Sequence, residues 1–485
     1  LVFQATSDPW PRSVTQDAGA KIGQRMGSFI AFMITGLYVA LGFAVIPALW
    51  AYAVVKERET RAKHLQLISG ASPITYWGSL WVFDAILFVI PALGSVIILA
   101  AQNVYHFDQL AATFILIVAF GCALEGPVYA LTFAFEKPET AQTWISFIHY
   151  FTMLISFFIS FALELPSVLA PVPIRTAIRY VFSLFPGYAL AKGLSDIALA
   201  PICNFADVIK GSSCHPTPVF SWDILGQKVV MLLAAIPLWL LLVLWLEARA
   251  TPRSSSLAVL VPGDADEDED VKAERTRVHA LASNPDAILP PVLAVNVFKT
   301  FPRSTAGSEP LTAVRNMSLA VRKGEICGLL GANGAGKTTF LRILTGELAA
   351  SSGTVRIAGR DLGQDRTAAL RQLGYCPQRD VIFPKLTGRE VLTFFARMNG
   401  IRAEAVDRLV TKAINTLGLV KHADQSTETY SGGNKRKLST GVAYVGDPLV
   451  TLLDESSTGV DPAARRKLWE VIWNRSKGRA TILTT

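Results

Sequence analysis

The chain has little charge for its size and few of the residues that bind structural metals. Only 17% of its 485 residues are Asp, Glu, Lys or Arg, whereas 51% are hydrophobic, and the mean hydropathy is +0.37. This is too apolar for an ordinary soluble protein, and the excess is concentrated before residue 250. The five cysteines and six histidines show no zinc-site spacing. The composition therefore argues against a wholly soluble protein and against a zinc module.

The net charge of +8 is not accompanied by a nucleic-acid-binding pattern. No stripe of alternating basic and aromatic residues occurs, and neither an internal repeat nor a cleavable signal sequence is present. Basic loops on the cytosolic side of a membrane explain the excess of Lys and Arg better. Nucleic acid is therefore not an expected partner.

Five apolar stretches are long enough to cross a bilayer, which takes about 20 helical residues. They are residues 29–55, 77–100, 110–135, 143–163 and 228–246, and they define a membrane domain over 1–250. The first connection, 56–64, contains four Lys or Arg, whereas 102–109 contains none. The positive-inside rule then places the first connection in the cytosol. An odd number of spans puts the N-terminus outside and the C-terminus inside.

The long external segment, 164–227, is not uniformly polar. Its part 174–193 is interpreted as an interfacial or re-entrant helix pair, the alternative being a sixth span broken at Pro186-Gly187. Cys203 and Cys214 lie in this segment, where an oxidising space would allow a disulfide.

Three ionisable residues fall at membrane depth, namely Asp84, Glu125 and His149. Such residues are candidates for function, or else they form hydrogen bonds to a neighbouring helix. The sequence leaves both interpretations open.

Residues 251–291 are predicted to be a linker, because their Ser, Pro and acidic composition cannot bury a core. The acidic run 264–270 is interpreted as a solvated tether, with a regulatory segment as the alternative. From residue 292 short apolar strands alternate with helices, which predicts an α/β domain over 292–485. The fold class is therefore a polytopic α-helical membrane domain followed by an α/β nucleoside-triphosphate-binding domain with a phosphate loop.

A phosphate-binding loop follows the predicted strand 325–330. Its glycines let backbone N–H groups face phosphates, and the helix that begins at Lys337 adds positive potential. Lys337 can reach the β- and γ-phosphates, and the hydroxyl of Thr338 can bind Mg²⁺. The predicted nucleotide contacts are Gly331, Asn333, Gly334, Ala335, Gly336, Lys337, Thr338 and Thr339.

Two further motifs follow in a fixed order. Ser431-Gly432-Gly433 precedes a predicted helix, and the apolar strand 449–453 ends in Asp454-Glu455. This order resembles the nucleotide-binding domain of ATP-binding cassette (ABC) proteins. The resemblance implies ATP and Mg²⁺ as cofactors, with Asp454 and Thr338 at the metal.

The resemblance also implies roles for four other positions. Glu455 is the general base that polarises the attacking water. Gln378 corresponds to the glutamine that touches Mg²⁺ and that water, and that senses the membrane domain. Asp461 matches the loop that links the two sites of a cassette dimer. Phe301, with Phe298 second, fits the aromatic residue that stacks on adenine.

In that family Ser431, Gly432 and Gly433 contact the ATP held by the opposite cassette, so a second ABC half is an implied partner. The family also expects a switch histidine directly after the strand that ends at Thr485. We therefore expect the chain to stop one residue before it, and the segment alone to hydrolyse ATP poorly.

Sequence motifs in the membrane half resemble those of subfamily A transporters. They include Lys56-Glu57-Arg58-Glu59, Trp81 with Asp84, and Phe185-Pro186-Gly187-Tyr188. The resemblance implies a half-transporter, more specifically the C-terminal half, with a first span and a large external domain before Leu1. It implies an integral membrane protein with a cytosolic cassette that moves lipids across the bilayer.

Two alternatives to lipid transport remain at this stage. One is transport of a non-lipid cargo, and the other is a regulatory half that binds ATP without transporting. A charged stretch, 58–66, would suit a coupling helix that docks near Gln378 and transmits closure of the ATP dimer to the membrane.

Overall fold

The computed structural model describes residues 37, 39, 41–101, 107–162, 179–200, 217–251, 268–284, 286–302, 310–379 and 381–485. The chain divides into two compact units. One comprises Leu1–Lys56 with Trp77–Leu246, and the other comprises Glu57–Tyr76 with Glu247–Thr485. The loop between the first two spans thus belongs to the same unit as the C-terminal domain.

The first unit is built from long apolar helices. Its described helices, some of which continue into the second unit, are α1 (Ile46–Glu59), α3 (Pro73–Ala101), α4 (Phe107–Thr132), α5 (Pro138–Ala162), α6 (Pro186–Leu199) and α7 (Gln227–Ala250). Four helical segments are long and apolar enough to cross a membrane, at Pro73–Ala101, Phe107–Thr132, Pro138–Ile159 and Trp222–Ala250. They overlap four of the five apolar stretches predicted from the sequence. The remaining stretch, 29–55, is the first along the chain and lies partly outside the described residues.

Helix α6 shows that the external segment contributes to the interior of this unit. It begins with Pro186, which suits the first turn of a helix because its missing N–H has no partner there. Its residues Tyr188, Leu190 and Leu194 are buried, and the helix packs against α4 and α5. A Cβ on Gly193 would lie 2.5 Å from a methyl carbon of Leu116. A larger residue at position 193 would therefore require the Leu116 side chain to move.

Parts of the external segment lie outside the described residues. These parts are 163–178 and 201–216, which include Cys203, Cys214 and the beginning of the expected helix pair 174–193.

The second unit contains an α/β domain with two four-stranded sheets. Its strands are β1 (Val292–Phe301), β2 (Leu311–Val321), β3 (Ile326–Leu329), β4 (Ser352–Ile357), β5 (Arg360–Asp361), β6 (Leu373–Cys376), β7 (Val450–Asp454) and β8 (Ala480–Thr484). One sheet is antiparallel with the order β2-β1-β4-β5, and the other is parallel with the order β3-β8-β7-β6. In the parallel sheet, the carboxyl ends of all strands meet at one edge, where ligands bind in such folds.

Helices cover both sheets and complete the core of this domain. They are α2 (Ala62–Ile68), α8 (Glu269–Ser283), α9 (Lys337–Leu344), α10 (Arg366–Leu370), α11 (Gly388–Met398), α12 (Ala403–Leu417), α13 (Gly432–Val445) and α14 (Pro462–Ser476). Helix α11 begins with a capping box, because Thr387 and Glu390 each accept a hydrogen bond from the other's backbone N–H.

Within the predicted linker 251–291, residues Glu269–Ser283 form helix α8, so the expectation that this composition cannot bury a core is wrong for that part. Val278 of this helix is fully buried against Leu293 and Ala320 of the antiparallel sheet. Arg277 donates to the carbonyl oxygen of Ala320 (2.6 Å), and Glu274 accepts from its N–H (2.9 Å). The helix therefore has one apolar face despite the acidic composition of the segment. Its Arg277 and Glu274 side chains form hydrogen bonds with backbone groups of β2.

Candidate nucleotide site and docking segment

The predicted phosphate loop lies between β3 and α9; residues 331–335 are exposed, and residues 336–339 are half-buried. Gly336 caps α9 with φ of +89°, and a Cβ there would lie 2.0 Å from the carbonyl oxygen of Ala313. Only glycine therefore fits that position. The Lys337 ammonium donates to the carbonyl oxygens of Gly331 and Ala332. The lysine thus lies over the same loop as Asn333, Gly334, Ala335 and Thr339.

Asp454 is the buried carboxylate at the carboxyl end of β7. Its Oδ1 accepts hydrogen bonds from the hydroxyls of Thr338 (3.4 Å) and Thr484 (2.7 Å). Its Oδ2 is buried and has no hydrogen-bond partner among the described residues. Burial raises the pKa of this carboxyl above its usual value. The orphaned oxygen and the adjacent Thr338 hydroxyl fit a hard divalent cation that retains most of its water ligands.

Glu455 follows Asp454 in a left-handed backbone conformation with φ of +50°, which is uncommon for a residue other than glycine. Its N–H donates to the Thr484 hydroxyl at 3.0 Å, and its side chain is half-buried. One threonine hydroxyl therefore connects the two acidic residues. Sequence reasoning had given Thr484 no role, although Asp454 and Thr484 are partners in the parallel pairing of β7 and β8.

Arg436 is a second residue to which sequence reasoning assigned no role. Its guanidinium is buried and donates to the carbonyl oxygens of Pro377 (2.7 Å) and Gln378 (3.1 Å). It also donates to the carbonyl oxygens of Asp454 and Glu455. The backbone at Gln378 is thereby brought to the two acidic residues, although the Gln378 residue itself is exposed.

The Ser431-Gly432-Gly433 turn begins helix α13. The Ser431 hydroxyl accepts from the Asn434 N–H at 3.3 Å, and a Cβ on Gly432 would meet no atom within 4 Å. The turn thus presents an open surface. Among the described residues, no hydrogen bond joins Ser431 to the phosphate loop 331–339 of the same chain.

Asp461 has a similar position at the start of α14. Its carboxylate caps the helix by accepting from the Ala464 N–H at 2.9 Å, and this bond contributes to the lowered pKa of the exposed carboxyl. In the described part of the chain, no hydrogen bond joins Asp461 to the phosphate loop either.

Phe301 ends strand β1, and Phe298 lies three residues before it. The Lys299 ammonium lies 5.2 Å from the centroid of the Phe301 ring, and both phenylalanines are half-buried. The geometry therefore leaves either ring available as an aromatic platform.

The loop between the first two spans docks on the C-terminal domain. We define the docking segment as Glu57–Tyr76, the part of this loop assigned to the second unit. Ala62, Leu65 and Ile68 of its helix α2 are buried in the main core of the unit. Gly70 has φ of +107°, and a Cβ there would lie 2.8 Å from the Met398 carbonyl oxygen. Helix α2 packs against β6, which ends two residues before Gln378.

Ion pairs surround the apolar contacts of the docking segment. Glu347 lies just after the phosphate-loop helix α9 and pairs with Arg61 (3.3 Å) and Arg342 (2.8 Å). Lys63 pairs with Glu247 at 2.5 Å. Burial, and then the positive charges of Arg366, Arg61 and Arg342, lower the pKa of His64 to about 3, so His64 is neutral at physiological pH. The segment is therefore linked to the C-terminal end of α9.

Two of the three ionisable residues at membrane depth have hydrogen-bond partners. Asp84 accepts from the Tyr129 hydroxyl at 2.5 Å, and Nδ1 of His149 lies 2.9 Å from the Ile145 carbonyl oxygen. Both oxygens of Glu125 are buried and lack a hydrogen-bond partner within the part of the chain that the structure describes. A hydrogen bond to a neighbouring helix is therefore present for Asp84, whereas the partner of His149 lies one turn earlier in its own helix α5.

Comparison with known proteins identifies the class of both domains. Residues 314–458 match the family model described as "ABC transporter", and residues 3–245 match the one described as "ABC-2 family transporter protein". The chain therefore belongs to the ABC transporters, with a membrane domain of the ABC-2 type and a P-loop cassette.

Similar curated proteins are members of subfamily A, which confirms the resemblance seen in the motifs. The mouse protein "ATP-binding cassette sub-family A member 7" is 36% identical over 457 residues, 93% of this chain and 21% of the relative. Human "Phospholipid-transporting ATPase ABCA7" is 35% identical over 471 residues, 96% of this chain and 21% of that protein. Rat "Phospholipid-transporting ATPase ABCA3" is 33% identical over 511 residues, 100% of this chain and 29% of that protein. The chain thus spans less than a third of these relatives.

Proposed function

We propose that this chain is one half of an ATP-driven phospholipid transporter, in which ATP binding and hydrolysis at the cassette power lipid movement through the membrane domain. The observation that carries the proposal is the cluster at the carboxyl edge of the parallel sheet. There the phosphate loop, Thr338, Asp454 and Glu455 come together, and one buried oxygen of Asp454 has no hydrogen-bond partner among the described residues.

Each residue of the cluster has a chemical task in this proposal. The loop N–H groups and the Lys337 ammonium bind the phosphates, which carry the charge that develops during transfer. Thr338 and Asp454 would hold Mg²⁺, with Gln378 as a further contact, and such an ion would supply positive charge next to the phosphates. Glu455 orients the attacking water and accepts its proton. Phe301 supplies the aromatic surface for adenine.

The proposal includes a second cassette. The exposed Ser431-Gly432-Gly433 turn and the exposed Asp461 have no hydrogen bond to their own phosphate loop in the described part of the chain, which supports a role toward ATP on another cassette. That cassette would belong to the other half of a longer transporter. Both cassettes would lie in the cytosol, in agreement with the Lys and Arg residues of the first connection.

The lipid cargo is proposed from the names of the relatives and from the apolar spans. The human and rat relatives are named phospholipid-transporting ATPases. Four candidate spans with hydropathy between 1.3 and 2.8 suit an acyl chain better than a strongly charged solute.

The docking segment is proposed to couple the two activities. It is buried in the cassette core close to β6 and is paired to the end of α9, so movement of either element reaches the connection between two spans. A cysteine pair, with one member in 58–66 and the other beside Gln378, should form a crosslink. Absence of this crosslink in every nucleotide state would contradict the coupling role.

The test of function is ATP hydrolysis by the full-length protein in liposomes, with and without added phospholipid species. We expect lipid to stimulate hydrolysis and Glu455→Gln to abolish it, because loss of a general base costs about 10²–10⁴-fold. Glu404→Gln is the matched control, since Glu404 is exposed on α12. A rate of ATP hydrolysis that does not change on addition of phospholipid would contradict the proposal that lipid is the cargo. A Glu455→Gln variant as active as wild type would contradict the proposed site.

A further inference from the structure

We propose that Arg436 is a positioning residue that ties the helix after the Ser431-Gly432-Gly433 turn to Glu455 and Gln378 of the same cassette. Through it, engagement of Ser431 at the other cassette's ATP is transmitted to the chain's own hydrolytic site. This inference rests on the proposed function, because it concerns how that site is assembled.

The first observation is where the guanidinium sends its hydrogen bonds. Nη1 donates to the carbonyl oxygens of Pro377 and Gln378, and Nη2 to those of Asp454 and Glu455. Nε also donates to Glu455, at 3.2 Å. One rigid planar group therefore connects the segment after β6 with the segment after β7. A lysine has a single nitrogen and cannot reproduce this fork.

The second observation is that the residue held by Arg436 has an unusual backbone. Glu455 has φ of +50°, a conformation that persists only where the surroundings enforce it. Arg436 binds its carbonyl oxygen twice, and the Thr484 hydroxyl accepts its N–H. The peptide groups on both sides of Glu455 are therefore fixed, and with them the direction in which its carboxylate points.

The third observation is that Arg436 is rigidly built into α13. It lies five residues after Ser431, and its own carbonyl oxygen accepts from the Thr440 hydroxyl at 2.9 Å. Arg436 is only 4% exposed, and a buried cation is costly unless its donors are satisfied. A shift of α13 that breaks these bonds is therefore penalised, so Glu455 and the Gln378 backbone must follow the helix.

The expected consequence is a split between binding and turnover. The carbonyl oxygens of Pro377, Gln378, Asp454 and Glu455 to which Arg436 donates lie outside the phosphate loop, so we expect loss of the guanidinium to leave ATP affinity unchanged. Glu455 would instead be poorly oriented. Misplacement of a catalytic group by about 1 Å lowers turnover by about 100-fold.

The experiment compares wild type, Arg436→Met and Arg436→Lys in the full-length protein in phospholipid liposomes. For each, kcat, the Kd of a non-hydrolysable ATP analogue and the dependence of rate on ATP concentration are measured. We expect Arg436→Met to lower kcat about 10- to 100-fold with an unchanged Kd. It should also abolish the cooperative dependence of the rate on ATP concentration. Arg436→Lys should restore little of the lost kcat. Arg389→Met is the matched control, because Arg389 forms an exposed ion pair with Asp424.

Three outcomes would overturn the inference while wild type remains active. They are a kcat within twofold of wild type for Arg436→Met, full recovery by Arg436→Lys, and a parallel loss of Kd and thermal stability, which indicates a merely structural role. If Arg436→Met does not fold, Arg436→Lys alone tests the inference. A lowered kcat with an unchanged Kd would then support it, and an unchanged kcat would overturn it. Failure of the proposed function is separate, because then wild type itself does not hydrolyse ATP.

Discussion

The cassette has two surfaces with a carboxylate at the centre, the nucleotide edge and the docking face. The two carboxylates differ in their hydrogen-bond and ion-pair partners. At the nucleotide edge, Asp454 receives hydrogen bonds only from neutral threonine hydroxyls, and one oxygen has no partner among the described residues. At the docking face, Glu347 lies between Arg61 and Arg342. Both carboxylates keep one buried oxygen without a hydrogen-bond partner among the described residues. The difference is that the Glu347 carboxylate forms ion pairs with two arginines, whereas the hydrogen bonds to the Asp454 carboxylate in the described part of the chain come from neutral hydroxyls.

This difference separates two tasks. A site that must bind and release a charged ligand cannot compensate its own charge, because the protein cation would compete with the ligand. A contact that must transmit movement is served by charges that stay paired and by apolar packing. We therefore expect changes at the nucleotide edge to affect turnover, and changes at the docking face to affect lipid stimulation while basal hydrolysis persists.

The strongest test of the docking face is Leu65→Ala. Leu65 is 3% exposed, and truncation of a buried leucine costs about 2–5 kcal/mol. Lipid stimulation of ATP hydrolysis should therefore be lost while basal hydrolysis remains. Leu311→Ala is the control, since Leu311 is 50% exposed. Equal losses of basal and stimulated rates would remove the distinction between the two surfaces.

Acid should weaken the docking face through His64. The pKa of His64 is lowered to about 3 in the folded protein, whereas an unfolded histidine has a pKa of about 6.5. The unfolded segment therefore binds a proton first as pH falls, and docking loses about 1–2 kcal/mol between pH 7 and pH 5. Above pH 7 this contribution is constant.

The measurement is the ratio of lipid-stimulated to basal hydrolysis at pH 7 and pH 5, for wild type and His64→Gln. The acid-dependent part of the ratio should be smaller in the variant. His422→Gln is the matched control and should behave as wild type, because the hydrogen bond of the His422 side chain in the described part of the chain is to Gln425 and not to the docking segment. Identical acid profiles for wild type and His64→Gln would exclude His64 as the source.

Thr484→Val tests the nucleotide edge in the same way as Leu65→Ala tests the docking face. Valine keeps the shape but removes the hydroxyl that donates to Asp454 and accepts from the Glu455 N–H. An unsatisfied buried group costs about 1–3 kcal/mol, so hydrolysis should fall about tenfold in basal and lipid-stimulated assays alike. Thr484→Ser should restore it. A variant that loses only lipid stimulation would show that the two surfaces are not separable.

The smallest effect is expected from exchanging the charges of one ion pair. Arg61 and Glu347 are partly exposed, at 31% and 16%, and such pairs contribute about 0.2–1 kcal/mol. Arg61→Glu should lower lipid stimulation a fewfold, and the double variant Arg61→Glu with Glu347→Arg should recover part of it. No recovery in the double variant would show that apolar packing alone carries the docking contact.

Prediction from sequence succeeds where chemistry demands particular residues in a particular order. The P-loop cassette could be recognised because glycine, lysine and carboxylate stand at fixed places around two strands, and the membrane domain because its apolar stretches are long enough to cross a bilayer. Arg436 and Thr484 escaped because their roles depend on which strand ends and loops meet in space. Helix α8 was missed for another reason, since a single buried valine in an acidic segment gives almost no periodic signal.

Burial of the docking segment also bears on the order in which the molecule is made. Ala62, Leu65 and Ile68 belong to the same core cluster as Leu341 and Leu373, yet they are synthesised long before them. Contacts so distant along the chain form slowly, because a long loop must close first. Until the cassette has been translated, this helix has no complementary surface, and a cassette expressed without it exposes an apolar groove to aggregation. The core of the second unit is thus completed by a segment that is made long before the rest of that unit.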